Sequence, residues 1–462
     1  MLPMSRFIAT IGGHKPPISL ALLASVGVLI CFSACDFLIP EPQDEYVNGR
    51  LRVTYWEKWT GVEGQAIRNV VDRFNASQDR IFVDLITTSQ IDRKTLVAIA
   101  GGEPPDIVGL WNQAIPPYAE KGALMPLRPF MEKAGMSESD FIDVFIVMNK
   151  YKGELYGLPT TPATCSLHWN KKLFREAGLD PERPPRTLAE LDEMAQKLTK
   201  YDANGNIVQL GFSPAEPNWW PYAWSAWFGG RLWDGHNITF DTPENLATLQ
   251  WIKSYADRYG VDRLRRFRSG ASGQFASPQN PFFTGKIAMI LQGVWMANFI
   301  SQYAPDLEWG AAPFPTAVPG LDYVTVAQCD SISIPVGSRH PDEAFEFIQF
   351  LYQQKEIEQL NIDQWKFSPL KNVSPDFVAR HPNPNIKLFM DLGSSPNAYC
   401  LPDLLIFYEY SDEITPAIDK IMNGLDTPEH LVKHVQNQVS KKWARVQQVV
   451  EKREAAQQET RP

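Results

Sequence analysis

Apolar and polar residues alternate from Leu51 to Trp59 (LRVTYWEKW), which predicts a strand. In the segment that follows, GVEGQAIRNVVDRFNAS, the spacing changes to that of a helix, with Ile67, Val70, Val71 and Phe74 on one buried face. Alternation returns in IFVDLIT (81–87), residues 91–102 read as a helix ended by two glycines, and DIVGL (106–110) reads as a third strand. Strands that alternate with helices predict a parallel, helix-covered sheet. Further on, Thr187 and Glu190 form a capping-box pair, and Pro243 and Pro341 sit where first-turn prolines open helices. An amphipathic helix is expected from Thr427 and Pro428 to about Val450, followed by a frayed tail over 451–462.

Length and composition enlarge this picture. A chain of 462 residues with 44% hydrophobic content exceeds one ordinary core and suits two lobes. At the start, Arg6 and Lys15 precede an apolar run from Ile18 to Phe32, too short for a comfortable membrane span and ordered like a secretory signal over 1–34. That segment carries two positive charges and no acid, so its removal takes the formal net charge from −9 to −11. An acidic chain without a basic patch argues against nucleic acid as a partner. Beyond Cys35 there remain Cys165, Cys329 and Cys400, an odd number without CxxC spacing, which excludes a disulfide framework and a thiolate metal site. One pair among the three stays open.

The residues before Cys35, FSAC, resemble the lipobox of bacterial lipoproteins. That resemblance implies acylation of Cys35, a membrane anchor through lipid and a tether over 35–50; an ordinary cleaved signal or an uncleaved anchor are the alternatives.

From about Arg50 to Trp443 the order of segments is similar to that of extracellular solute-binding proteins of bacterial ABC importers, in the maltose-type sugar-binding branch. The residues that carry the likeness are GGEPPDIV (101–108), YAEKGALMPL (118–127), GELYGLPTTPATCSLHWNKKLFREAGL (153–179), FFTGKIAMILQGVW (282–295), AAPFP (311–315) and IPVGSRHPDEAFEFIQFL (334–351). It implies an α/β fold of two discontinuous lobes with a ligand cleft between them, the type II periplasmic-binding-protein arrangement. One lobe would hold 51–162 with 316–361 and the other 163–315 with 362–450. Chain crossings are expected at 162–164, at 312–315 and within 361–368. It further implies an extracytoplasmic, monomeric, non-enzymatic receptor without cofactor, serving an ABC permease with a separate ATPase.

The stretch NWWPYAWSAWFGG (218–230) then needs a reading. Trp220, Trp224 and Trp227 share a helical stripe and are expected in core, whereas Trp219 lies off it and can face a cleft. The resemblance places Glu216, Asn218 and Trp219 in a sugar-contacting loop, Trp295 at a Gly-x-Trp stacking position, and Trp111 and Asn112 in another contact loop. Carbohydrate suits such residues because a pyranose presents C–H faces to aromatic rings and a hydroxyl rim to amides and carboxylates. Trp56, Glu57, Lys58, Gln113, Asp330 and Tyr410 complete the candidates, with one of Trp56 and Trp59 expected in core.

Other signals lead elsewhere. YDANGNIVQLGF (201–212) superficially suggests a calcium loop, but its glycine arrives too early and no glutamate closes it, so an Asn204-Gly205 hairpin is expected. His430 and His434 are one helical turn apart without a third ligand. A carbohydrate-active enzyme would need two carboxylates at a set separation, and no acid pair stands beside the aromatic loops. The same fold carrying a polyamine or phosphodiester would call for fewer aromatics and denser charge.

Overall fold

The computed structural model describes residues 45–270, 275, 277–401 and 404–459. The expected signal, Cys35 and most of the expected tether lie outside the described residues. Residues Tyr46–Val47 pair with Arg50 and Leu51 around Asn48 and Gly49, both at positive φ, so the end of the expected tether is a tight hairpin.

The principal elements follow in chain order: β1 (Arg50–Glu57), α1 (Gly61–Ser77), β2 (Ile81–Thr87), α2 (Ile91–Ala100), β3 (Ile107–Trp111), β4 (Leu158–Asn170) and α3 (Leu188–Leu198). They continue with α4 (Pro243–Tyr259), β5 (Met289–Gly293), α5 (Met296–Tyr303), β6 (Trp309–Ala312), β7 (Thr325–Ser333), α6 (Pro341–Leu351), α7 (Phe407–Met422) and α8 (Pro428–Glu459). The face read from spacing in α1 is the buried one, with Ala66 added to Ile67, Val70, Val71 and Phe74. Thr187 accepts from the Glu190 amide as expected, but the Glu190 carboxylate accepts from Arg186 N, so the reciprocal half of the box is not made. Helix α8 continues to Glu459, beyond the frayed end expected near Val450.

The sheet is mixed rather than parallel. Strands β1 and β3 run parallel, with Tyr55 opposite Ile107, but β7 is antiparallel to both β3 and β4, and β5 and β6 are antiparallel to β4. The cause is the path of two long strands. Leu158 of β4 and Ile332 of β7 belong to a core with Val53, Ile67, Phe74 and Phe345, while Leu167 and Trp169 of β4 and Val326 of β7 belong to a larger core with Trp227, Tyr255 and Phe314. Each strand therefore passes from one core to the other, in opposite directions. A third cluster, including Phe145, Ala163, Cys329, Phe367 and Phe389, packs beside these crossings. Phe314 and Val324 still lie in the larger core, so the crossing expected at 312–315 falls later, along β7.

Residues Pro221–Phe228 form a 3-10 turn in which every residue is buried. With three residues per turn, Trp224 and Trp227 align, and both pack on Phe314. Strands Lys200–Tyr201 and Ile207–Gln209 make the expected hairpin, its Asp202 carboxylate accepting from the Asn204 and Asn206 amides. Cys165, Cys329 and Cys400 are free thiols, and burial pushes the latter two up to about 12. Among the described residues no helix is long and apolar enough to cross a membrane.

Candidate ligand-binding site

At the end of β1 the chain delivers Glu57, Lys58 and Trp59 in succession. Strand alternation sends Tyr55 and Glu57 to one face, where the Tyr55 hydroxyl donates to Glu57 Oε2 at 2.8 Å. The same carboxylate accepts from Lys58 N at 2.8 Å and lies over Gly109, where an added Cβ would stand 1.8 Å from Oε2. Only glycine fits beneath it. Trp56 points to the other face and packs with Ile91, Leu110, Ile115 and Tyr118, so the expectation that it lines a cleft is corrected: Trp59 is the member of that pair beside Trp111.

Lys58 Nζ lies 3.0 Å from Asp330 Oδ1 and 3.2 Å from Glu57 Oε1, and Lys366 Nζ lies 3.3 Å from Asp330 Oδ2. Both lysine side chains are only 4% exposed. Thr161 also donates to Asp330 Oδ2. Burial alone would raise the Asp330 carboxyl, but the two ammonium groups and the Thr161 hydroxyl outweigh it and hold it at about 2. Burial likewise opposes the Lys58 charge, and Asp330 and Glu57 overcome it, leaving that ammonium above its ordinary value. Both lysines lie against Trp59, at 5.3 and 5.0 Å from its ring centre, and Lys58 is also 5.2 Å from that of Trp111. Trp59 and Trp111 meet edge to face, their centres 6.3 Å apart, and Trp111 remains 37% exposed.

A second group of rings gathers on the larger core. Trp219 and Trp295 are 6.2 Å apart, Trp220 and Trp295 5.6 Å, and Trp219 is 40% exposed. Trp295 folds back over Gly293, where a Cβ would meet its ring at 2.2 Å, which explains the glycine of the Gly-x-Trp sequence. Its indole donates to Gln292 Oε1 at 3.2 Å, and the Trp220 indole donates to Gln328 Oε1 at 3.2 Å. Trp220 thus departs from the expected core stripe at its polar edge. Glu216 is paired with Arg268 Nε at 2.9 Å; burial outweighs that partner and raises its carboxyl to about 7.

Strand β7 joins the two groups. Asp330 and Gln328 stand two residues apart on one strand, hence on the same face and about 7 Å apart. Asp330 engages the lysines and Gln328 engages Trp220 and, through Nε2, the Tyr222 hydroxyl at 2.8 Å. Asn112 lies between, its Oδ1 accepting from Cys329 N at 3.2 Å, and shares a recess with Gln113, Tyr222, Gln328 and Phe407. Asn218 adopts a positive φ of 61°, and the buried oxygens of Asn218 and Gln113 have no hydrogen-bond partner among the described residues.

Of the expected residues, Trp111, Asn112, Asn218, Trp219 and Trp295 lie in or beside these groups, and Glu57 and Asp330 lie beneath Trp111 in ion pairs. Tyr410 does not: it is 1% exposed in the larger core and donates to Leu232 O at 3.0 Å, because the face of α7 that carries it packs inward. Phe407, one turn earlier, reaches the recess instead. Lys366, Gln328 and Gln292 escaped the sequence reading. Their signals were a lysine between two aromatics (WKF) and a single glutamine within each of the strands MILQG and TVAQCDSIS.

Comparison with known proteins gives this geometry a family. The model of the bacterial extracellular solute-binding proteins matches residues 58–357. A structure described as CpMnBP1 with mannotriose bound is 31% identical, with a TM-score of 0.73 over 84% of this chain and 99% of that one. A putative binding protein of Brucella abortus is 23% identical over 89% of this chain and 95% of its own length. The maltotriose-binding protein of Pyrococcus abyssi is 23% identical over 71% of this chain and 68% of its own. Two cores linked by paired crossing strands, with that match across most of the chain, identify it as a member of the bacterial extracellular solute-binding protein family.

Proposed function

We propose that this chain captures a neutral oligosaccharide between its two lobes and presents it to the membrane permease of an ABC importer, itself performing no chemistry. The observation that carries this reading is the pair of indole groups, Trp59 with Trp111 and Trp219 with Trp220 and Trp295, joined along one face of β7. Each ring that stacks on a sugar face contributes about 1 kcal/mol beyond buried area. The unpartnered oxygens of Asn218 and Gln113 suit hydroxyl donors, since a buried polar atom without a partner costs more than a made bond gains.

Ligand contacts are assigned to Trp111, Asn112, Asn218, Trp219 and Trp295, with Glu57 and Asp330 as supports rather than acceptors of sugar hydroxyls. The lobes are those joined by β4, β7 and the 361–368 crossing. Closure follows because a sugar touching both groups favours the state in which they approach; a ligand bound equally in both states would shift nothing. Extracytoplasmic placement accords with the family, and acylation at Cys35 and a monomeric state are part of the same reading. The mannotriose and maltotriose named for two relatives make these the first probes. Thermal-shift measurements against mannotriose, mannobiose, maltotriose and their monosaccharides should give one selective rise in melting temperature, because stabilisation grows with the logarithm of ligand excess over Kd. No rise with any of them, or cleavage products after incubation, would overturn the proposal.

A further inference from the structure

Asp330 is the point where four separate segments meet. Thr161 comes from β4, Asp330 itself from β7, Lys366 from the 361–368 crossing and Lys58 from the turn after β1. Thr160 adds a hydrogen bond to the Asp330 carbonyl at 3.2 Å, and Asn361 donates to the Thr160 carbonyl at 3.0 Å. These bonds join the strands that pass between the cores to the segment that leaves the smaller one at Leu360 for the cluster containing Phe367.

The charges in this centre are opposed to one another, Glu57 and Asp330 against Lys58 and Lys366, with Glu63 at the edge. The Lys58 ammonium has carboxylates at 3.0 and 3.2 Å and the Gly109 and Leu110 carbonyls at 3.4 and 3.5 Å, more acceptors than its three donors need. Lys366 adds Glu63 Oε1 at 3.7 Å to its contact with Asp330. Lys58 is thus saturated, and Lys366 is held against Asp330 with its side chain only 4% exposed, so burial keeps both ammonium groups from the open side of the indoles. What they touch instead is the aromatic shelf: both ammonium groups lie against Trp59, at 5.3 and 5.0 Å from its ring centre, and Lys58 also lies 5.2 Å from that of Trp111.

We propose that Asp330, Lys58 and Lys366 are positioning residues that contact no ligand but fix the Trp59–Trp111 shelf to the strands connecting the lobes. The shelf then moves as one piece with the hinge, so its outer face meets a sugar in a set orientation when the lobes approach. This inference rests on the sugar-receptor reading for its ligand, but its structural half stands apart from it.

The test uses mannotriose titrations of the native protein, Lys366→Met, Trp111→Ala and the double variant, together with indole NMR of the ligand-free protein after ¹⁵N-tryptophan labelling, with Trp59→Phe assigning the signal. Lys366→Met should weaken binding about tenfold, within the range of a desolvated cation–aromatic contact, and shift the Trp59 resonance. In the Trp111→Ala background the same change should cost less than about twofold, since the shelf is already lost. Equal losses in both backgrounds, or an unmoved Trp59 signal, would overturn the proposal. If Lys366→Met does not fold, Asp330→Asn, which keeps side-chain shape and removes one charge, is read the same way. A native protein that binds no oligosaccharide would sink the receptor reading, while the ligand-free resonance would still decide whether this centre holds the shelf.

Discussion

The two indole groups are held in place by different physics. On the smaller core, Trp59 and Trp111 rest on buried ammonium groups that are themselves fixed by two carboxylates. On the larger core, Trp219, Trp220 and Trp295 rest on one another, with amide side chains taking two indole N–H groups. An ion-paired support is costly to break, because removing one partner strands a desolvated charge. A ring-on-ring support loses contact area and one hydrogen bond at a time. One half of the site should therefore fail abruptly and the other by degrees.

The contrast can be broken most forcefully at Asp330. Asp330→Ala should cost about 3–5 kcal/mol of unfolding free energy in urea titrations, whereas Gln328→Ala, its counterpart two residues away, should cost about 1–2 kcal/mol. Equal costs would remove the distinction. Next in size is Trp295→Ala, which should weaken oligosaccharide binding by at least about 2 kcal/mol in calorimetry while the melting temperature changes little.

A pH experiment sharpens the electrostatic side. Asp330 titrates at about 2 in the folded protein against an ordinary 3.8, so its stabilising contribution is fully present above 3.8 and is lost as pH falls toward 2. The native protein should exceed Asp330→Asn by an excess that shrinks over that window, by on the order of 2 kcal/mol. The smallest effect belongs to Tyr410→Phe. It removes one buried hydrogen bond, costs about 1 kcal/mol of stability, and should leave sugar affinity unchanged; a drop in affinity would return Tyr410 to the site.

Much of the scaffold was legible because it depends on local periodicity. The face of α1 and the strands at 81–87 and 107–111 follow directly from apolar spacing. The antiparallel crossings were not legible, since a buried strand such as β4 has no alternation from which direction or register can be read. Within the site, the rings stood out by composition, and their glycine partners followed from geometry once the rings were placed. Trp56 and Tyr410 misled because a short aromatic cluster does not reveal which of its members faces inward. Lys366 and Gln328 were marked by local composition alone, and their roles were not legible because their partners lie 36 and 108 residues away, at Asp330 and Trp220.

The most direct measurement is a crystal structure of the protein with whichever oligosaccharide raises its melting temperature most. A receptor of the kind described would show pyranose rings against Trp219 and Trp295 on one side and Trp111 on the other, with Lys58, Lys366 and Asp330 still paired beneath. Sugar bound away from these indoles, or resting on one group alone with the lobes unmoved, would contradict it.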